Sequence, residues 1–223
     1  DSRSLAANDL FVAIKGPRAD GHDYVAQALS NGAAAAMVSR IPSGLPDDAP
    51  LLVVGDTMTA LGALGAAARA RTQARIVAVT GSVGKTGTKE ALRHVLGRQG
   101  PTTASESSLN NHWGVPLSLA RMPASASYGV FEAGMNHAGE LTELSRVIRP
   151  HVAIITAIAS AHAAHFGSLA EIADAKAEIF VGLDDGVAII NRDSEYFDRM
   201  AAAARTCGAR RVVGFGEHPA ADV

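Results

Sequence analysis

The residues best suited to chemistry in this 223-residue sequence are Gly81-Ser82-Val83-Gly84-Lys85-Thr86. They follow the apolar run Val77-Ala78-Val79-Thr80 and open a helix-like stretch over 85–97. Glycines let a backbone turn tightly and aim N–H groups at an anion. A helix starting at Lys85 adds the positive end of its dipole. Lys85 would lie over the terminal phosphates of a nucleotide, and the Thr86 hydroxyl would ligate Mg²⁺. The pattern is G-x-x-G-K-T and not the full G-x-x-x-x-G-K-[ST], because Val79 stands where the first glycine would be. Strand–loop–helix context favours phosphate binding over an ordinary glycine turn. Such a loop indicates nucleotide binding and does not by itself indicate a reaction.

Other candidates follow from strand ends. In an open parallel sheet, ligands bind beyond the carboxyl ends of the strands. Glu132 ends Tyr-Gly-Val-Phe-Glu, and His162 follows the 152–156 run by a short loop. A carboxylate and an imidazole beside a triphosphate suit a divalent cation. The alternatives are a surface carboxylate and a structural loop histidine. Asn110 and Asn111 precede a helix, where their amides would bind phosphate or sugar or else cap the helix. By residue type alone Lys176 reads as a solvated helix lysine. Cys207 has no ligand or nucleophile partner pattern.

The elements that must position these groups alternate. Apolar, β-branched runs at 10–14, 35–38, 51–54, 76–80, 128–132, 152–156, 187–190 and 211–215 predict strands. Ala-rich amphipathic stretches at 22–30, 58–71, 85–97, 117–122, 139–148, 169–183 and 194–205 predict helices. The alternation predicts an α/β fold with mostly parallel sheets. The loop-like IPSGLPDDAP at 41–50 falls inside a first domain. We place the domain boundary near Ala74, giving domains at 1–74 and 75–223.

Composition excludes several classes. Lys+Arg 20 against Asp+Glu 22 leaves no basic excess for nucleic acid or an anionic membrane. No apolar run reaches the roughly 18 residues of a membrane span. A single cysteine cannot form an internal disulfide, which favours a reducing, cytoplasmic setting.

Taken together, these residues resemble the Mur ligase family. Matching pieces occur in family order: Asp1-Ser2-Arg3, Asp20-Gly21-His22, Thr80 through Glu90, Asn110-Asn111 through Pro116, Glu132-Ala133-Gly134-Met135-Asn136, Ala161-His162, Ala175-Lys176-Ala177-Glu178 and Asn191-Arg192-Asp193. The asparagine stretch and Glu-Ala-Gly-Met-Asn point to the branch that adds D-alanyl-D-alanine.

The resemblance implies a small uridine-nucleotide domain, a P-loop-type ATP-binding domain and a C-terminal Rossmann-type domain. These residues would supply the first, short of its opening residues, and most of the second. Without the third they are not expected to turn over. The implied reaction is ATP-dependent ligation of D-alanyl-D-alanine to UDP-N-acetylmuramoyl-tripeptide through an acyl phosphate, by a cytoplasmic monomer. Gly81, Ser82, Val83, Gly84 and Lys85 would hold ATP. Thr86 and Glu132 would hold one Mg²⁺, and His162 a second. Lys176 aligns with a family lysine that is carbamylated, which makes it an anion suited to metal and phosphate. Asn191 and Asp193 would lie near the base. Ser2, Arg3, Asp20, Gly21 and His22 would bind the uridine nucleotide. Ala157 and Ala164 depart from the family's usual asparagine and acidic residue. Two other readings share the loop: a ligase of the folylpolyglutamate or cyanophycin synthetase type, and a nucleotide-binding module without ligase activity. The Asp-Ser-Arg and Asp-Gly-His features argue against the first; the missing third domain keeps the second open.

Overall fold

The computed structural model describes residues 2–3, 5–106, 109–160 and 166–223. The chain divides into two compact units, Asp1–Ala63 and Leu64–Val223.

In the first unit, β1 (Leu10–Val12), β2 (Ala35–Val38) and β3 (Leu51–Val53) form a three-stranded parallel sheet in that order. A 3-10 turn at Gly21–Tyr24 leads into α1 (Val25–Ser30). Phe11, Ala13, Val25, Ala28, Ala36 and Val38 make its core. Gly21 is required by close approach: a Cβ there would meet Ile14 N at 2.6 Å.

The helix α2 (Thr57–Ala70) crosses the division between the units. The two compact units therefore divide within α2, ahead of the domain boundary expected near Ala74. The reason is that the end of α2 is tied into the second unit. Arg69 donates to the carbonyls of Ile148 at 2.8 Å and Arg149 at 2.9 Å.

The second unit contains β4 (Arg75–Thr80), α3 (Lys85–Leu96), β5 (Thr102–Ala104), α4 (Gly114–Arg121), β6 (Tyr128–Glu132), α5 (Glu140–Ile148), β7 (Val152–Ile155), α6 (Leu169–Ala177), β8 (Val187–Asn191), α7 (Phe197–Thr206) and β9 (Arg211–Phe215). Its six strands are all parallel, in the order β5-β6-β4-β7-β8-β9. Ile76, Ala78, Phe131, Ala153 and Ile155 face one side, beneath α4, α5, α6 and α7. Val77, Val79, Val130 and Ile154 face the other, where Leu92 and Leu96 of α3 pack. Burial on both faces explains the near-continuous apolar strands.

The strands match the sequence expectation closely, with one addition. β5 is polar and short, so its sequence carries no apolar run to announce it. The stretch expected as one helix over 169–183 is α6 followed by a 3-10 turn at Glu178–Gly182. Ser145 breaks it: its hydroxyl donates to Ile179 O and accepts from Gly182 N.

Candidate functional site

β4 sits between β6 and β7, so three strand ends converge around the loop it feeds. This is the place where an open parallel sheet binds ligands. The loop turns through Gly81 at φ +147° and Gly84 at φ +85°. Both values favour glycine, and a Cβ on Gly81 would collide with the Thr156 hydroxyl. The loop is pinned from β7's end. Thr156 Oγ1 donates to Val83 O, Ser82 N to Ala157 O at 2.8 Å, and Ser82 Oγ to Ala159 O at 3.0 Å. Thr156 carried no sequence signal, being one hydroxyl at the end of an apolar run.

Lys85 folds over this loop, its Nζ 2.9 Å from Gly81 O and 3.5 Å from Ser82 O. Those carbonyls hold the ammonium where a phosphate would replace them as acceptor. Thr86, next on α3, donates to Glu132 Oε2 at 2.9 Å. Asn110 Nδ2 donates to Glu132 Oε1 at 2.9 Å. Glu132 is only 5% exposed, and its backbone N–H donates to Ser105 Oγ at 3.0 Å. The structure thus gathers Lys85, Thr86, Asn110 and Glu132. Asn111 is separate: its Oδ1 accepts the Gly114 N–H at the start of α4. Asn111 thus takes the capping role, while Asn110 joins the Glu132 cluster.

Lys176 differs from the solvated lysine its type alone suggests. It is fully buried on α6, and its Nζ has no hydrogen-bond partner among the described residues. Burial pushes its pKa down to about 8; the Lys85 charge adds to this, and Glu140 opposes it. Thr80 Oγ1, at the end of β4, is also buried without a partner among the described residues. His162 lies outside the described residues.

Asn191 ends β8 and Asp193 follows it. Asn191 Oδ1 accepts from Asp193 N at 2.8 Å, and Asp193 accepts from the backbone of Glu217 at 3.1 Å and His218 at 2.8 Å. Their side chains therefore shape the turn that follows β8 and tie it to the segment after β9.

The first unit has a cavity of its own, about 240 Å³, with Lys15, Asp20, His22, Ser39 and Arg40 in its walls. His22 Nδ1 lies 2.6 Å from Asp20 Oδ1, and its Nε2 accepts from Ser39 N at 2.9 Å. The His22 backbone N–H, then its ring, holds the Asp20 carboxyl far below the usual range. Ser2 is not in this wall; it donates to Gln27 Oε1 of α1 at 3.3 Å. Arg3 is exposed.

Comparison with known proteins matches the chain in two successive parts, with a gap that spans Ala74. The Mur ligase middle domain matches residues 79–223, and the Mur ligase family catalytic domain matches residues 1–69. The UDP-N-acetylmuramoyl-tripeptide–D-alanyl-D-alanine ligase of Escherichia coli (strain K12) is 45% identical over 195 residues, covering 87% of this chain and 42% of that protein. The crystal structure of MurF from Acinetobacter baumannii superposes with TM-score 0.85 at 40% identity, over 98% of this chain and 47% of that one. MurF ligase from Thermotoga maritima, solved in complex with ADP, gives TM-score 0.81 at 28% identity, over 98% and 49%. The chain spans about half the length of these relatives.

Proposed function

This chain belongs to the Mur ligase family, and from that premise we propose that it supplies the uridine-nucleotide and ATP sites of a cytoplasmic ligase joining D-alanyl-D-alanine to UDP-N-acetylmuramoyl-tripeptide, a peptidoglycan precursor. The observation that carries the reading is the Glu132 carboxylate, nearly buried and joined to Thr86 beside the lysine-tipped loop. The Escherichia coli relative's activity and the Thermotoga structure's ADP support it.

The chemistry explains the parts. A carboxylate is a poor electrophile because it is anionic and lacks a leaving group. Transfer of the terminal phosphoryl of ATP onto the tripeptide carboxylate gives an acyl phosphate. The dipeptide amine attacks its carbonyl, the C–N bond forms, the C–O bond to phosphate breaks, and the amine releases a proton. The protein's task is positioning and charge neutralisation. Lys85 would leave its carbonyls for the phosphates.

The donors fit Mg²⁺: a carboxylate and a hydroxyl are the hard oxygens it takes. Among the described residues no group of three or more His, Cys, Asp or Glu could hold a metal. Nucleotide phosphates and water would therefore complete the shell of Thr86 and Glu132. Bound there, Mg²⁺ would neutralise phosphate charge. His162 is assigned to a second Mg²⁺ by family resemblance alone. Lys176 fits carbamylation because its amine is buried and has no partner among the described residues. The same family resemblance assigns Asn191 and Asp193 to the base. It assigns Ser2, Arg3, Asp20, Gly21 and His22 to the uridine nucleotide, and a monomeric state to the protein.

Calorimetry of the chain tests this reading. UDP-N-acetylmuramoyl-tripeptide and Mg-ADP are each expected to bind, one equivalent apiece, with neither displacing the other. Mutual displacement, or no heat from either ligand, would overturn it.

A further inference from the structure

A second lysine of α3 is buried for a reason the reaction scheme has not used. Lys89 is fully buried, one of the largest side chains with no exposure at all. Removing an ammonium from water is costly unless it is paired and hydrogen-bonded. Its Nζ donates to Ser105 O at 2.7 Å and pairs with Glu90 Oε1 at 2.9 Å. Glu90 is about half-exposed and shared with Arg93, so the fully buried partner is the Ser105 carbonyl.

Ser105 is itself 2% exposed. It stands just past β5, and its N–H donates to Val130 O at 3.0 Å, which continues the pairing with β6. Its hydroxyl accepts the Glu132 N–H. Lys89 lies three residues after Thr86 and four after Lys85, so the three share a helix face. One face of α3 therefore reaches Glu132 twice: from the carboxylate side through Thr86, and from the backbone side through Lys89 and Ser105.

We propose that Lys89 is a positioning residue for the Glu132 carboxylate. It clamps Ser105, and Ser105 fixes the backbone from which Glu132 projects toward Thr86. A methionine would fill the same space and anchor α3 to the sheet without charge burial. It could not hold the Ser105 carbonyl. The inference rests on the proposed role of Glu132 in the Mg²⁺-nucleotide site.

Two readouts test it. In nucleotide-free protein, Lys89→Met should raise hydrogen exchange of the Glu132 amide at least about tenfold relative to neighbouring β6 amides. In ADP titrations at varied Mg²⁺, it should raise the Mg²⁺ midpoint about tenfold while leaving Mg²⁺-free ADP binding unchanged. A purely structural lysine would lower stability and leave that midpoint alone. Folded Lys89→Met with an unchanged midpoint, or with unchanged Glu132 exchange, overturns the proposal. Should Lys89→Met fail to fold, Ser105→Ala decides by the same midpoint, because it cuts the same link at the hydroxyl. If the unmutated chain binds no nucleotide, the proposed function falls, and the Glu132 exchange result alone rules on the clamp.

Discussion

Replacing Lys85 by alanine is expected to lower ATP-dependent ligation by about 10²–10³-fold, the usual loss for one preorganised donor at developing charge. The assay is ADP release by the complete gene product with both acceptor and dipeptide present. Lys85 is held over the loop by carbonyls of Gly81 and Ser82. A terminal phosphate is a far better acceptor for an ammonium than either carbonyl, so the side chain is poised and not committed. Its removal leaves the loop N–H groups and the helix terminus in place. Nucleotide should therefore still bind, more weakly, while the chemical step suffers most. Binding of the uridine nucleotide should not change. Turnover within a few-fold of the unmutated enzyme would remove Lys85 from the reaction.

Lys176→Met carries the second large effect, in two opposite directions. Ligation should fall by at least about a hundredfold, because methionine cannot become a carbamate anion. Stability should rise. Burial lowers the folded-state pKa of Lys176 from the usual 10.5 to about 8. Between those values the unfolded chain binds the extra proton, so stability climbs with pH there. The cost of the lysine is therefore complete below about pH 8 and gone above about pH 10.5. Removing it should stabilise the fold by on the order of 3 kcal/mol at pH 7 in CO₂-free buffer. The gain should shrink at pH 9.5. Urea denaturation at the two pH values measures both. The same depression leaves about half of the amines neutral at pH 8, the form that reacts with CO₂. Labelled bicarbonate should give a carbamate carbon signal that Lys176→Met lacks. A variant that is destabilised and fully active would contradict both halves.

The sequence revealed some of these residues and hid others for physical reasons. The phosphate loop is legible because its function is local: two glycines, a lysine and a threonine between a strand and a helix. Glu132 is legible because it ends an apolar run that must be a buried strand. Lys176 is not legible by type, because helix periodicity does not distinguish a buried amine from a solvated one; only family resemblance singled it out. Asn110 and Asn111 are adjacent in sequence, yet one reaches Glu132 and the other starts a helix. That choice depends on where β5 and β6 place the loop. β5 itself was missed because Thr102–Ala104 is a short polar edge strand, and Ser105 was missed with it. Lys89 could have been suspected from its spacing after Thr86, but burial decides its meaning, and burial is a tertiary fact. The compact units divide ahead of Ala74 because Arg69 bonds to carbonyls far along the chain, which no local pattern announces.

The most direct measurement is a crystal structure of the chain soaked with Mg²⁺ and a non-hydrolysable ATP analogue. The β- and γ-phosphates should fill the turn between Gly81 and Thr86, with the Lys85 Nζ moved off the two carbonyls and Glu132 at the metal. An analogue bound elsewhere with this turn empty, or no analogue at saturating concentration, would contradict the account.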